Sequence, residues 1–137
     1  YTLYGMLRAL GISSVKCGCE TTNCGLCTVH MDGKAVLSCS VPAMRCNGRD
    51  IRTLEGMDDA AKALADCLAD EGADQCGFCA PGMMMNVLML AKENPNATDE
   101  EADVYLAGNL CRCTGYMSQK RAIRRFLNRV VSREVRV

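Results

Sequence analysis

Cys19, Cys24 and Cys27 stand as C-x4-C-x2-C in "CETTNCGLC", and Cys39 follows after eleven further residues. That is the plant-type spacing for a [2Fe–2S] cluster, in which two irons sharing sulfides take four thiolate ligands. A loop that wraps such a cluster must turn tightly, so that backbone N–H groups face the sulfurs and offset their negative charge. Gly18, Asn23 and Gly25 are residue types that such a loop favours.

A second set lies further along. Cys76 and Cys79 form C-x2-C in "QCGFC", and Cys111 and Cys113 form C-x-C in "LCRC". Spacing alone leaves this set open between a cluster and a structural zinc site. Either metal would tie the loop before one helix to the loop before another. Cys67 falls at helical spacing with Ala63 and Leu64 and reads as a core filler. Cys17 breaks the spacing that Cys19 satisfies, and Cys46 lies near a turn, so all three are expected to be non-ligands.

The whole chain fits metal better than disulfides. It has 137 residues with 11 cysteines, an odd number, and nine methionines. An exported disulfide framework favours an even set, and methionine is easily oxidised outside the cell. The expected compartment is therefore a reducing cytoplasm. The chain begins at Tyr1 and shows no basic-then-apolar leader. No apolar run approaches the ~20 residues of a membrane span. The formal net charge is zero, which argues against general nucleic-acid binding. Aromatic residues are scarce and Trp is absent, so two small cores are expected rather than one large one.

The elements that must position these thiols follow from pattern. Residues 1–12 read as a short amphipathic helix with Leu3, Met6, Leu7 and Leu10 as its stripe and Gly11 as its stop. "CTVHMDGKAVLSCS" reads as a hairpin around Asp32-Gly33, a favoured type I′ turn. The segment 46–57 has turn chemistry and marks the boundary between domains at 1–52 and 53–137. Beyond it the chain reads as four helices. Asp58 to Glu71 turns Ala61, Leu64, Ala65 and Leu68 inward. A second helix starts at Pro81, runs through Met83, Val87, Leu88 and Leu90, and ends at Asn94-Pro95. Thr98 and Glu101 form a capping box that opens a third helix, to Ala107. The fourth runs from Met117 to Ser132, with a stripe of Ile123, Phe126, Leu127, Val130 and Val131. Short helices joined by short loops predict a compact bundle.

"KCGCETTNCGLCTV", "GADQCGFCAPGM" and "LAGNLCRCTGY", in this order, closely resemble the iron–sulfur component of the xanthine dehydrogenase/aldehyde oxidase family of molybdenum hydroxylases. "DGKAVLSCSVPA" and "IRTLEGM" resemble it too, so the likeness covers nearly the whole chain. The resemblance implies an α+β fold: a plant-ferredoxin-like β-grasp domain followed by an all-α four-helix bundle, each with one [2Fe–2S] cluster. It implies that Cys76, Cys79, Cys111 and Cys113 hold the second cluster. It places Gln75 and Cys113 against the pterin of a molybdenum cofactor. That cofactor, and an FAD, are expected on a large and a medium partner subunit. Electrons from the molybdenum site would pass through both clusters to the flavin. Two departures stand out. The β-hairpin that usually precedes the first helix is not among residues 1–137, so the β-grasp sheet is expected to be incomplete unless residues are missing ahead of Tyr1, and missing residues are what the resemblance suggests. Thr22 stands where the family usually has Gly, and Leu26 where Ala is common.

The remaining residues suggest no substrate chemistry in this chain. His30, the single histidine, reads as an ordinary strand residue. Of Met83, Met84 and Met85 at least one is expected in the bundle core, and the others could form an adaptable surface. Residues 53–75 hold seven acids against one lysine, and residues 112–137 hold eight bases against one acid. This predicts that the two helices involved lie side by side, the alternative being that Arg121, Arg124, Arg125 or Arg129 docks a partner. The expected function is electron transfer inside a molybdenum enzyme. A free-standing ferredoxin-like carrier is the alternative, and a zinc-braced interaction module is a second.

Overall fold

The computed structural model describes residues 1–137. The first helix, α1 (Leu3–Ala9), begins where the Thr2 hydroxyl accepts from the Gly5 N–H at 3.2 Å. Strands β1 (Thr28–Met31) and β2 (Lys34–Leu37) pair antiparallel across Asp32 and Gly33. Both turn residues have positive φ, 51° and 77°, as a type I′ hairpin requires. A short β3 (Ile51–Arg52) pairs with the other edge of β1, giving the order β2-β1-β3. Leu3, Leu7, Val15, Cys27, Val29 and Cys46 form the small core between α1 and this sheet.

Four helices follow: α2 (Asp58–Asp70), α3 (Ala80–Glu93), α4 (Asp99–Tyr105) and α5 (Met117–Val131). Pro81 sits in the first turn of α3, where its missing N–H costs nothing. At α4 both bonds of the capping box form, Glu101 N–H to Thr98 Oγ1 at 3.2 Å and Thr98 N–H to Glu101 Oε2 at 2.8 Å. Leu64, Val87, Phe126 and Leu127 are fully buried at the centre of a second, larger core.

Helix α3 is apolar nearly all round, and the fold uses its whole circumference. Met83, Met84, Val87, Leu88 and Leu90 join the bundle core. Met85 and Met89 are equally buried but belong to neither core cluster, because α3 also packs on β1 and β2. All three methionines of the run are therefore interior, which bears out the core expectation for one and leaves none for an adaptable surface. β1 is in turn covered on both faces, with Thr28, Val29 and His30 all buried. His30 is more than an ordinary strand residue: its Nε2 lies 2.7 Å from the Met85 carbonyl of α3.

Three stripe positions differ from expectation. Leu10 lies 71 % exposed because α1 ends at Ala9 and the chain turns away. Ala65 is exposed, and Ala63 and Cys67 join Leu64 and Leu68 inside, because the buried face of α2 is rotated by about one residue. Val131 is the last residue of α5 and is half exposed. Cys67 is a core residue as expected, with a relative exposure of 2 %.

Part of the charge asymmetry is paired inside the molecule. Arg121 and Arg125 pair with Glu71 at 3.0 Å, and Arg125 also reaches Asp70. Arg124 pairs with Asp99, and Arg129 with Glu134. α2 and α5 run side by side, and the pairs to Asp70 and Glu71 bridge them at a surface where each contributes only about 0–1 kcal/mol.

Candidate metal centres

The eight candidate thiols gather in two groups of four, one in each loop region. Cys19 interacts with Cys24, and Cys27 with Cys39. In the helical half Cys76 Sγ lies 3.5 Å from Cys113 Sγ, and Cys79 interacts with Cys111. No three thiol, imidazole or carboxylate groups close around a single point.

Each C-x2-C turn is built alike. Gly25 and Gly77 follow the first cysteine of each and have φ of 74° and 77°. An L-side chain is strained there, and only glycine lets the turn close so that both thiols face one side. Backbone and side-chain donors then reach the sulfurs. The Asn23 N–H lies 3.3 Å from Cys19 Sγ and the Phe78 N–H 3.5 Å from Cys76 Sγ. The Thr114 hydroxyl donates to Cys111 Sγ at 3.2 Å, and the buried Gln119 amide approaches Cys79 Sγ at 3.5 Å.

These surroundings divide the thiols by acidity. Backbone N–H groups of Thr21, Asn23 and Cys24 lower Cys19 to about 6. Burial raises Cys39 to about 12, with the Cys27 thiol adding to it. Burial likewise lifts Cys79 to about 11. Cys111 is also penalised by burial, but the Thr114 hydroxyl and nearby N–H groups outweigh this and lower it to about 7. Each region therefore holds one thiol lowered by nearby donors and others raised by burial or by a neighbouring thiol. An iron–sulfur core takes all four of a set as thiolates.

Gln75, Cys76 and Cys113 are exposed beside Phe78 and Leu110, both about half exposed, whereas Cys24 and Cys27 are buried. Cys17 is exposed, and its thiol bonds the Cys19 carbonyl at 2.8 Å while lying near enough to Cys39 to act on it. Thr22 adopts φ 60°, the left-handed conformation that a glycine would take without strain.

Several supporting residues carry no signal in the sequence. Leu110 donates its N–H to the Cys24 carbonyl at 2.9 Å. The buried Asn109 donates from Nδ2 to the Gly25 carbonyl at 3.2 Å and accepts from Asn86 Nδ2 at 2.7 Å. Lys16 lies 5.6 Å from the centre of the Phe78 ring. All of these join the first thiol loop to the second, across more than eighty residues of sequence in the case of Gly25 and Asn109.

The family model for a "[2Fe-2S] binding domain" matches residues 53–124. Over 125 residues the chain is 43 % identical to the nicotinate dehydrogenase small FeS subunit of Eubacterium barkeri, covering 89 % of this chain and 80 % of that one. Over 116 residues it is 49 % identical to the xanthine dehydrogenase iron-sulfur-binding subunit of Escherichia coli O157:H7, covering 81 % and 72 %. The quinoline 2-oxidoreductase structure from Pseudomonas putida 86 superposes with a TM-score of 0.88 at 37 % identity, over 98 % of this chain and 86 % of that one. With the fold these bear out the ferredoxin-like domain followed by a helical domain, and they favour an enzyme subunit over a free carrier. The chain belongs to the iron–sulfur subunits of the xanthine dehydrogenase/aldehyde oxidase family of molybdenum hydroxylases, the electron-transfer components of multi-subunit oxidoreductases that work with large partner subunits.

Proposed function

We propose that Cys19 and Cys24 hold one iron of the first [2Fe–2S] cluster and Cys27 and Cys39 the other, while Cys76 with Cys113 and Cys79 with Cys111 do the same for the second. The gathering of four thiols in each loop region, with Cys76 Sγ 3.5 Å from Cys113 Sγ, supports this reading. A two-iron core asks for two thiolates on each iron, whereas structural zinc gathers four ligands about one point. Each cluster, when bound, takes up and passes on single electrons. The chain's own part is to hold the thiolates, supply donors to their sulfurs and keep the two loops in register. The N–H groups of Asn23 and Phe78, the Thr114 hydroxyl and the Gln119 amide all offset sulfur charge, which favours the reduced form.

The exposed face formed by Gln75, Cys76 and Cys113 fits the side turned to the molybdenum subunit, with Gln75 and Cys113 nearest the pterin. The first cluster would then face the onward acceptor, an FAD-binding medium subunit. The work is assigned to the cytoplasm, where thiols stay reduced; no helix is long and apolar enough to cross a membrane. A division into residues 1–52 and 53–137 agrees with the two separate cores.

Iron, sulfide and zinc analysis of the anaerobically purified holoenzyme tests this, with EPR during stepwise reduction. About four irons per chain, no zinc and two rhombic signals are expected, and Cys76→Ser should disturb one signal only. About two irons with one zinc per chain would make the helical half a structural brace and sink the assignment.

A further inference from the structure

We propose that Asn109 is a positioning residue: through the Gly25 carbonyl it holds the Cys24–Cys27 turn against the 109–113 turn and so fixes the separation of the two thiol sets. This rests on the reading that each set binds a cluster. The contact between the turns is backbone against backbone. A Cβ on Gly25 would lie 2.4 Å from the Gly108 carbonyl oxygen and 2.6 Å from Asn109 Nδ2. From the other side, a Cβ on Gly82 of α3 would lie 2.5 Å from the Gly25 carbonyl oxygen and 2.8 Å from Leu26 Cα. Neither gap has room for a side chain, so the turns approach as closely as backbone allows.

At such range the polar groups decide the alignment. The Gly25 carbonyl points into this contact, where it also accepts from the Thr28 hydroxyl at 2.6 Å. The Thr28 N–H donates to it too, at 3.3 Å, and Asn109 supplies the one donor from the opposite turn. Its amide is held in one orientation because Asn86 Nδ2 donates to Oδ1, and Asn86 is itself anchored to the Tyr105 carbonyl at 3.3 Å. The chain of bonds therefore runs from the end of α4 through α3 to the turn before Cys111, and from there to the turn that carries Cys24 and Cys27. Asn109 touches no thiol, so its effect must pass through the Gly25 carbonyl. When one electron moves between the sets, one cluster is oxidised by one electron and the other reduced by one. No bond forms or breaks, so separation and alignment are what the protein can set.

Asn109→Asp tests this in the holoenzyme. It keeps the acceptor toward Asn86 and replaces the donor toward Gly25 by an oxygen that repels the carbonyl. The readout is the spin–spin splitting of the fully reduced EPR spectrum, beside iron content. The expected result is about four irons per chain, as in the parent, with the splitting narrowed or lost. Thr98→Ala serves as the control, since it weakens the α4 cap at a distance from both turns, and it should lower the melting temperature while leaving the splitting unchanged. An unchanged splitting in Asn109→Asp would overturn the proposal. So would loss of iron, which would make Asn109 a cluster-retention residue, or an equal change in Thr98→Ala. A parent enzyme with both clusters and no splitting would overturn it too. A parent enzyme with iron for one cluster only would instead overturn the ligand assignment beneath it.

Discussion

Leu110 donates its backbone N–H to the carbonyl of Cys24 at 2.9 Å, so the residue before Cys111 is bonded directly to a residue of the first thiol set. The two halves of the chain are thus joined where their chemistry lies. Fixing the turns to each other fixes both sets of thiols at once, as an electron-transfer subunit needs. It also makes the contact intolerant of added volume.

Gly82→Ala should expose that intolerance. The new methyl would meet the backbone of Gly25 and Leu26 at 2.5 and 2.8 Å, and backbone cannot rotate aside as a side chain can. Helix propensity favours the change by about 1 kcal/mol, whereas overpacking costs about 1–3 kcal/mol, so a net loss is expected. Thermal unfolding checks it: a melting temperature at or above the parent's would show that the gap is looser than this geometry implies.

His30 should titrate below the usual histidine range of about 6.5. Burial between β1 and α3 disfavours its charge, and the cations of Lys92 and Arg52 add to this. The Met85 carbonyl and Glu93 act the other way without overcoming it. A depressed folded pKa means that the unfolded chain binds the proton first. The stability that comes with neutral His30 is complete above the unfolded value and falls away as the pH drops toward the folded one. Because the chain has a single histidine, its ring C–H resonances report one titration without assignment. A midpoint above the usual value would contradict the burial argument.

Phe126→Ala and Val131→Ala should separate by a wide margin. Phe126 is fully buried at the centre of the bundle, one of only two phenylalanines in the chain, and its removal should cost about 3–5 kcal/mol. Val131 is half exposed on the last turn of the same helix, and its loss should stay within about 0.5 kcal/mol. Urea unfolding with an unchanged slope measures both, and similar midpoints for the two would refute the burial ranking.

Thr22→Gly should stabilise the protein by up to about 1 kcal/mol. The left-handed conformation costs an L-residue roughly 1–2 kcal/mol, and glycine returns part of the gain through the entropy of the unfolded chain. Thr22 is exposed, and its hydroxyl reaches only the neighbouring Thr21 carbonyl, so little else is lost. Calorimetry on the parent and the variant decides the sign.

The sequence by itself determined what is local. Cysteine spacing marked both thiol sets, because a tight turn brings together residues two to five apart. Asp32-Gly33, Pro81 and the Thr98–Glu101 box set element ends, because each acts on backbone groups within one turn. The apolar periods of α1, α2 and α5 identified helices, yet they misplaced Leu10, Ala65 and Val131, since the rotation and the end of a helix depend on what lies against it. Only the tertiary structure decided which thiols pair, for Cys76 meets Cys113 across thirty-seven residues. Only it could show His30 reaching α3, all three methionines turned inward, or Asn109 bound to Gly25. Such contacts leave no trace in spacing, because they form where two separately specified surfaces meet, and each surface alone reads as an ordinary strand, helix or loop.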